Sequence, residues 1–313
     1  MNLNKINIIS VIIPSYNEEK NIKLLFDDIT SVLKELVSNS KLELIFVDDG
    51  SKDSTLLEIK KLAEQNSFVK YLSFSRNFGH QKALMAGLNA AKGNCVISMD
   101  ADMQHPAKII PQLIEEWEKG NDIVYTIRKD KKLPFLKRLS SSLFYKIINK
   151  LSDVEIEKGT ADFRLLDQKV VTELKKMNEM HIFYRGLIPW VGFKSMGIEY
   201  QAEDRVYGRS KYTFRKMMSF AIDGITSFST KPLRLSIYLG IMVALLAFIY
   251  GIFVIFVSLF TNLTISGWSS TITVILFIGG IQLIILGIIG EYIGKLYMEN
   301  KNRPNFIIKD SNI

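Results

Sequence analysis

The sequence is poor in the residues that build disulfide scaffolds and zinc centres. Its 313 residues include a single cysteine, Cys95, so no disulfide can form within the chain and a reducing compartment is expected. The three histidines, His80, His105 and His181, are not spaced as a metal cluster. We therefore expect Cys95 to be a core residue, and we favour a structural role for His105.

Charge is also missing over a long stretch. No Asp, Glu, Lys or Arg occurs from Leu235 to Gly290, and this stretch divides at the polar segment TNLTISGWSS, residues 261–270. Each flank is long enough to cross a hydrocarbon core of roughly 30 Å, which takes about 20 apolar residues. The sequence predicts two membrane helices, at about 236–260 and 271–293, within a segment 231–300. An apolar hairpin buried in a soluble protein is the alternative.

Basic residues flank the two predicted spans, and the loop between the spans has none. Lys231 and Arg234 precede the first span, and Lys295, Lys301, Arg303 and Lys309 follow the second. The positive-inside rule then places residues 1–230 and the tail 301–313 in the cytoplasm, which makes a multi-pass membrane protein. The N-terminal MNLNKINIIS shows no signal-peptide pattern.

Two basic segments account for the net charge of +8. Residues 128–150 hold eight basic residues and one acidic residue, and residues 205–216 hold five basic residues and no acidic one. Beside a membrane anchor, such segments indicate anionic lipid or phosphate groups, and the lack of a nucleic-acid-binding module argues against nucleic acid. The apolar stripes of 134–151 and 212–228 predict interfacial helices, with packing against the rest of residues 1–230 as the alternative.

Strands and helices alternate through the N-terminal part of the chain. The strands INIISVIIP, which ends at Pro14, LELIFVDD, VKYLSFS and NCVISMDAD are separated by helical patterns, the third of which is predicted to end at Gly93. This order predicts a parallel sheet with helices on both faces, and ligands bind beyond the carboxyl ends of such strands. The polar clusters PSYNE, DDGS, SRNFG and DAD fall at those ends.

A pair of aspartates ends the fourth strand. Asp100 and Asp102, called here the carboxylate pair, are two positions apart and point the same way in an extended chain. Two like charges at a strand end repel each other unless a cation lies near them. Oxygen ligands suit Mg²⁺ or Mn²⁺, and Mg²⁺ is commonly held by carboxylates together with substrate phosphates. A solvated turn is the alternative for this motif taken alone.

At this point the sequence resembles a known family. In order along the chain occur VIIPSYNEEKNI, VDDGSKDST, SRNFGHQKALMAGLNAAKG, MDADMQHP, ADFRLLD, FYRGLIPWVGF and RVYGRSKYTFRKM. With two C-terminal membrane helices, this set is similar to the polyprenyl-phosphate glycosyltransferases of glycosyltransferase family 2. The resemblance implies a GT-A fold, a nucleotide-sugar donor, a divalent metal and a lipid-phosphate acceptor. The Q-x-x-R-W motif of processive synthases is absent, which argues against polymer synthesis.

The resemblance also implies roles for individual residues. The carboxylate pair would bind the metal, and Asp102, Asp162 and Arg185 would be catalytic. The donor-binding residues would be Pro14, Tyr16, Asn17, Glu18, Asp48, Asp49, Arg76, Asn77, Asp100 and Gln104. The acceptor phosphate would bind to Arg205, Arg209 and Lys211. These three cations lie within the second of the two basic stretches, residues 205–216, and are called here the basic segment. Asp53 is expected to be a turn or helix-cap residue.

The chemistry of the acceptor bears on Asp162. A phosphate monoester has a second pKa of about 6, so it is mostly dianionic at neutral pH and needs no strong base to attack. We therefore interpret Asp162 as an orienting group for acceptor or sugar, or as the partner of a cationic side chain.

Together these features predict a GT-A domain with a donor-binding half, 1–125, and an acceptor-binding half, 126–230, followed by the membrane helices. The expected reaction is inverting transfer of a sugar to undecaprenyl phosphate for cell-envelope glycosylation, with glucose from UDP-glucose as the first choice. GlcNAc, aminoarabinose and mannose stay open, as does a homo-oligomer. A non-catalytic membrane scaffold is the alternative of another class.

Overall fold

The computed structural model describes residues 8–36, 41–128, 149–152, 159–177, 179–180, 183–201, 223–260 and 267–313. In the first part, strands and helices alternate as predicted. The elements are β1 (Ile8–Ser15), α1 (Ile22–Leu36), β2 (Lys41–Asp48), α2 (Thr55–Gln65), β3 (Val69–Phe74), α3 (His80–Ala90) and β4 (Cys95–Ser98).

The second part departs from this alternation. A 3₁₀ turn at Ala107–Ile109 leads into α4 (Ile110–Glu118). Then follow β5 (Ile123–Arg128), β6 (Thr160–Asp167), α5 (Gln168–Lys175), α6 (Tyr184–Trp190), β7 (Ser195–Tyr200), α7 (Lys231–Phe260), α8 (Trp268–Asn300) and β8 (Ile308–Ser311).

The described strands form one sheet in the order β7-β5-β6-β4-β1-β2-β3-β8. Four of its seven pairings are parallel, including those among β1 to β4, and β6 and β8 are antiparallel to their neighbours. The predicted GT-A architecture with a mostly parallel sheet is thereby confirmed. The predicted division at residue 125 falls inside β5, so both predicted halves share this sheet.

Helices cover β1 on both faces, which explains its almost uninterrupted apolar sequence. Val11 and Ile13 belong to the core cluster that includes the buried residues of α1. Ile12 points to the other face of the sheet and belongs to the cluster that includes the buried residues of α3. On α1 the apolar residues Ile22, Leu25, Ile29 and Leu33 lie on one face and are buried. Cys95 is buried in the core, as predicted.

The predicted end of the third helix at Gly93 was wrong. Helix α3 ends at Ala90, because the backbone at Ala91 is already extended. Gly93 serves close packing instead: its amide donates to the Ser10 hydroxyl over 2.9 Å, and an added Cβ would lie 2.7 Å from the Ser10 amide nitrogen.

The C-terminal hairpin consists of two helices that are long and apolar enough to cross a membrane, over Lys231–Val257 and Thr271–Asn300. The predicted spans, 236–260 and 271–293, lie within the full helices α7 (Lys231–Phe260) and α8 (Trp268–Asn300). The end of α8 contacts the segment before α7: the Tyr292 hydroxyl donates to the Ser229 carbonyl over 2.7 Å, and Lys295 Nζ lies 2.5 Å from Thr226 Oγ1. Of the two predicted interfacial segments, 134–148 and 212–222 lie outside the described residues, and 223–228 is helical.

The tail returns to the sheet after α8, which the sequence did not predict. Strand β8 pairs antiparallel with β3, and Phe306 stacks on Phe74 with ring centroids 4.9 Å apart. The Ser75 amide also donates to the Ile307 carbonyl over 2.9 Å. The tail therefore borders the loop that follows β3.

Candidate active site

The loops after β1 and β2 are joined by hydrogen bonds. The Asn17 amide donates to Ser51 Oγ over 3.0 Å, and Asn17 Oδ1 accepts from the Lys52 amide over 2.9 Å. Asn17 itself has a φ of 55°, a left-handed conformation that Asn tolerates better than most residues. These contacts bring the predicted donor residues Pro14, Tyr16, Asn17 and Glu18 to the carboxyl edge of the sheet, next to the loop after β2.

Asp48 and Asp49 are more deeply buried than their predicted role requires, at 1% and 2% exposure. Asp48 accepts from the Ser51 amide and the Ser73 hydroxyl. Asp49 accepts from the amides of Phe78 and Gly79, over 2.7 and 2.9 Å. These carboxylates thus shape the loops after β2 and β3. Their predicted direct contact with the donor stays a prediction.

The loop after β3 carries Arg76 and Asn77 at the surface. Gly50, with a φ of +67°, lets this loop approach, because an added Cβ would lie 2.4 Å from the Arg76 carbonyl carbon. The Arg76 guanidinium stacks over the Phe78 ring at 4.1 Å. Asp53 accepts from the Thr55 amide over 3.1 Å and from the Glu19 amide, so it is a turn residue at the start of α2.

The carboxylate pair lies just beyond β4, between residues that anchor the segment. Met99 and Ala101 are buried in the core, whereas Asp100 and Asp102 are partly exposed. Met103 has a φ of 62° and turns the chain back. As a result, possible ligand atoms of Asp100, Asp102 and His105 all lie within 4.8 Å of one another.

This grouping modifies the prediction for the histidines. Their sequence spacing gave no metal cluster, yet His105 is folded against the carboxylate pair and its Nε2 lies 3.1 Å from Asp100 Oδ2. The backbone amide of Gln104, a residue predicted to bind the donor, donates to Asp102 Oδ1. The Gln104 side-chain oxygen accepts from Arg128 Nη1 over 3.4 Å. The carboxylate oxygens and their partial exposure fit a hard divalent cation.

Asp162 is the centre of a second charged group, on β6 beside β4. Arg185 on α6 donates two hydrogen bonds to the Asp162 carboxylate, from Nε to Oδ1 over 2.9 Å and from Nη2 to Oδ2 over 3.0 Å. The fully buried Arg164 lies 3.6 Å away. The ion pair with Arg185 is the contact expected if Asp162 is the partner of a cationic side chain, and a role in orienting acceptor or sugar stays a prediction.

The electrostatics of Asp162 oppose a role as a base. Burial works against its ionised form, but the charges and hydrogen bonds of Arg185 and His80 hold the pKa of Asp162 well below its usual range. A carboxylate that stays ionised in this way is a poor proton acceptor near neutral pH.

His80 links the two charged groups, and sequence reasoning gave it no role. Its Nε2 lies 3.5 Å from Asp100 Oδ1 and 3.4 Å from Asp162 Oδ2. Loss of solvation disfavours its protonation, but the two carboxylates outweigh that effect and raise the pKa of His80 to about 9. The available signal was its position: it begins α3, directly after one of the four polar strand ends.

The geometry brings together the carboxylate pair, His80, Asp162 and Arg185 at one edge of the sheet. Such a site can hold a divalent cation on one side and an anionic group against a guanidinium on the other. The basic segment lies outside the described residues, as does His181. The predicted contacts of the basic segment with phosphate therefore stay predictions.

Comparison with known proteins decides the family. Residues 10–174 match Glycosyl transferase family 2, just over half of the chain. The chain belongs to glycosyltransferase family 2. This glycosyltransferase also matches, over residues 231–296, the family described as GtrB C-terminal hairpin, which corresponds to α7 and most of α8.

Several relatives of this glycosyltransferase match over nearly their whole length. The uncharacterized glycosyltransferase YkcC of Bacillus subtilis (strain 168) is 43% identical, with 96% of this chain and 93% of the relative covered. The bactoprenol glucosyl transferase of Shigella phage SfII is 43% identical, with 97% and 98% covered. The prophage bactoprenol glucosyl transferase homolog of Escherichia coli (strain K12) is 42% identical, with 96% and 98% covered.

Among solved structures, this chain is similar to glucosyl-3-phosphoglycerate synthase from Mycobacterium tuberculosis, crystallised with Mn²⁺, UDP and phosphoglyceric acid. The identity is 18%, the TM-score is 0.48, and 72% of this chain and 78% of that chain are covered.

Proposed function

We propose that this family-2 glycosyltransferase moves a sugar from a nucleotide-sugar to a polyprenyl phosphate, with glucose from UDP-glucose and undecaprenyl phosphate as the first choices. The proposal is carried by one observation: the carboxylate pair and the Asp162–Arg185 ion pair share a sheet edge in a domain joined to an apolar hairpin. Support for the lipid and for glucose comes from relatives named bactoprenol glucosyl transferases, at 42–43% identity.

The reaction we propose inverts the anomeric centre. An oxygen of the acceptor phosphate attacks the anomeric carbon, the bond from that carbon to the donor diphosphate breaks, and the nucleoside diphosphate leaves. Asp100 and Asp102 would hold Mg²⁺ or Mn²⁺, which supplies charge neutralisation for the leaving group. No strong base is required, which agrees with the ionised state of Asp162.

Arg185 is the residue that we place against the acceptor phosphate. Its guanidinium plane is fixed by two contacts with Asp162, and its side chain is 24% exposed. A guanidinium with a fixed plane is well suited to bind a phosphate, since less rotamer freedom is lost on binding. The basic segment would add further cations and shield the repulsion between the acceptor phosphate and the donor diphosphate.

We further propose that the catalytic domain and the tail lie on the cytoplasmic side of the bacterial membrane. The pairing of β8 with β3 supports a shared side for the two, because the tail follows both apolar helices and joins the catalytic sheet. The basic residues that flank the hairpin favour the cytoplasm.

The test is transfer by the purified full-length protein in detergent. Undecaprenyl phosphate is offered with UDP-glucose, UDP-GlcNAc, a UDP-aminoarabinose or GDP-mannose, and the lipid product is identified by mass spectrometry. We expect a lipid-linked monophosphate glucose. A product formed only with another donor would replace glucose, and no product from any donor with an intact, folded protein would favour the scaffold alternative.

A further inference from the structure

Two buried side chains, Tyr200 and His105, link by hydrogen bonds to Asp100 of the carboxylate pair. His105 Nε2 lies 3.1 Å from Asp100 Oδ2, and on the other side of the ring His105 Nδ1 lies 2.9 Å from the Tyr200 hydroxyl. His105 is 6% exposed and Tyr200 is 4% exposed. Neither side chain therefore has much access to solvent, and both are held by the interior of the domain.

The fold fixes the orientation of both rings. Phe163, fully buried on β6, has its ring centroid 5.2 Å from that of His105 and 6.2 Å from that of Tyr200. Tyr200 ends β7, where it is paired in register with Arg128 of β5. Because Arg128 also reaches Gln104, the ends of β5 and β7 hold the loop of the carboxylate pair from two points.

The direction of the hydrogen bonds follows from what each group can donate. An ionised Asp100 can only accept, so the nitrogen that faces it, His105 Nε2, must carry the hydrogen. The Tyr200 hydroxyl lies against the other nitrogen, Nδ1, and can donate to it when the imidazole is neutral. The His105 side chain is 7% exposed and that of Asp100 is 32% exposed, so the carboxylate, and not the imidazole, is open to an ion from solvent.

We propose that Tyr200 and His105 form a relay that holds the Asp100 carboxylate in the orientation that metal binding requires, and that His105 is a positioning residue rather than a metal ligand. The inference rests on the metal site of the proposed function and assigns the ligand set within it. Of the three residues that the fold brings within ligand distance of one another, only the two carboxylates bind the ion.

The relay should be visible in metal affinity. Loss of a partner that orients a metal ligand typically weakens binding by about tenfold to a hundredfold. Tyr200→Phe removes only the hydroxyl that anchors His105, and His105→Gln keeps an amide near the place of Nε2 but loses the bond to Tyr200. Tyr71→Phe is the matched control. The Tyr71 hydroxyl lies 3.4 Å from Asp310 on β8, and β8 and β7 are the outermost strands on opposite sides of the sheet.

The first measurement is titration of the full-length protein in detergent with Mn²⁺ and UDP, with free Mn²⁺ followed by EPR. We expect a dissociation constant raised about tenfold or more in Tyr200→Phe and His105→Gln, and unchanged in Tyr71→Phe. Thermal unfolding without metal tests whether the variants remain folded. Wild-type affinity in Tyr200→Phe would overturn the relay.

The second measurement separates a positioning residue from a ligand. Pulsed EPR of the bound Mn²⁺ should show no directly coordinated imidazole nitrogen, and a nitrogen coupling that disappears in His105→Gln would overturn the proposal.

The third measurement needs no metal. The chain has three histidines, so ¹⁵N spectra of histidine-labelled protein can be assigned by substitution. We expect His105 to be protonated at Nε2 and to lose this preference in Tyr200→Phe, whereas protonation at Nδ1 alone would overturn the relay. If the wild type bound no Mn²⁺, the metal part of the proposed function would fail, and these spectra would still decide the relay.

Discussion

Replacement of Asp162 by Asn distinguishes an orienting carboxylate from a catalytic base. The substitution keeps the shape of the side chain but removes the negative charge that faces Arg185 at 2.9 Å and the fully buried Arg164 at 3.6 Å. Removal of one partner from a buried ion pair costs about 3–5 kcal/mol, because a charge is left without compensation. We therefore expect Asp162→Asn to lower the melting temperature and to weaken acceptor binding.

The matched control is Asp122→Asn. Asp122 contacts Lys169 over 2.6 Å, but the lysine side chain is 54% exposed, and such pairs contribute at most about 1 kcal/mol. Thermal unfolding in detergent compares the two variants. Transfer to a short, soluble polyprenyl phosphate then shows whether Asp162→Asn raises KM for the acceptor.

The pH dependence gives an independent check. A carboxylate whose folded pKa lies below its unfolded value stabilises the protein above the unfolded pKa, and this stabilisation is lost as the pH falls through the folded pKa. Since Arg185 and His80 hold the pKa of Asp162 well below its usual range, the ion pair should persist throughout about pH 5 to 8. A variant Asp162→Asn with wild-type stability whose lost activity returned on addition of formate would refute the reasoning and make Asp162 a base.

Four further outcomes are expected. Asp100→Asn or Asp102→Asn should leave the protein folded but abolish most sugar transfer, and EDTA should abolish transfer in the wild type. Near-normal turnover in either variant would contradict the metal site. A cysteine placed at Ser269 should react with an impermeant reagent on intact cells and one at Ser311 only after permeabilisation, since Cys95 is buried; the reverse pattern would invert the topology. Deletion of residues 305–313 removes the partner of β3 and should lower the melting temperature and weaken UDP binding. Lys60→Ala is the control, because it removes the exposed ion pair with Asp310 of β8 and the contact with the Tyr71 ring but leaves the pairing of β8 with β3. Alanine at each cation of the basic segment should reduce transfer in detergent about tenfold to a hundredfold and reduce donor binding less. Unchanged transfer would mean that these cations bind only lipid headgroups.

Local patterns in the sequence determined much of the architecture. The alternation of apolar strands and amphipathic helices predicted the parallel part of the sheet, because periods of two and of about 3.6 residues belong to different backbone geometries. The same alternation predicted that Asp48, Asp100 and their neighbours meet at one edge, since carboxyl ends of parallel strands lie together. The uncharged stretch predicted the hairpin, because bilayer thickness sets the length of a span.

Contacts between distant residues were decided only by the tertiary structure. Arg185 and Asp162 are 23 positions apart, and His105 and Tyr200 are 95 positions apart. Nothing in the local pattern of β7 distinguishes Tyr200 from any other aromatic residue that ends a strand. The return of β8 to β3, which brings Asn312 to Tyr71 across 241 positions, likewise depends on where α8 ends. The sequence alone thus determined which residues could act at the edge of the sheet. The pairing of β6 with β4 and of β7 with β5, together with the position of α6, decided which charges are paired, because pairing depends on distance in space.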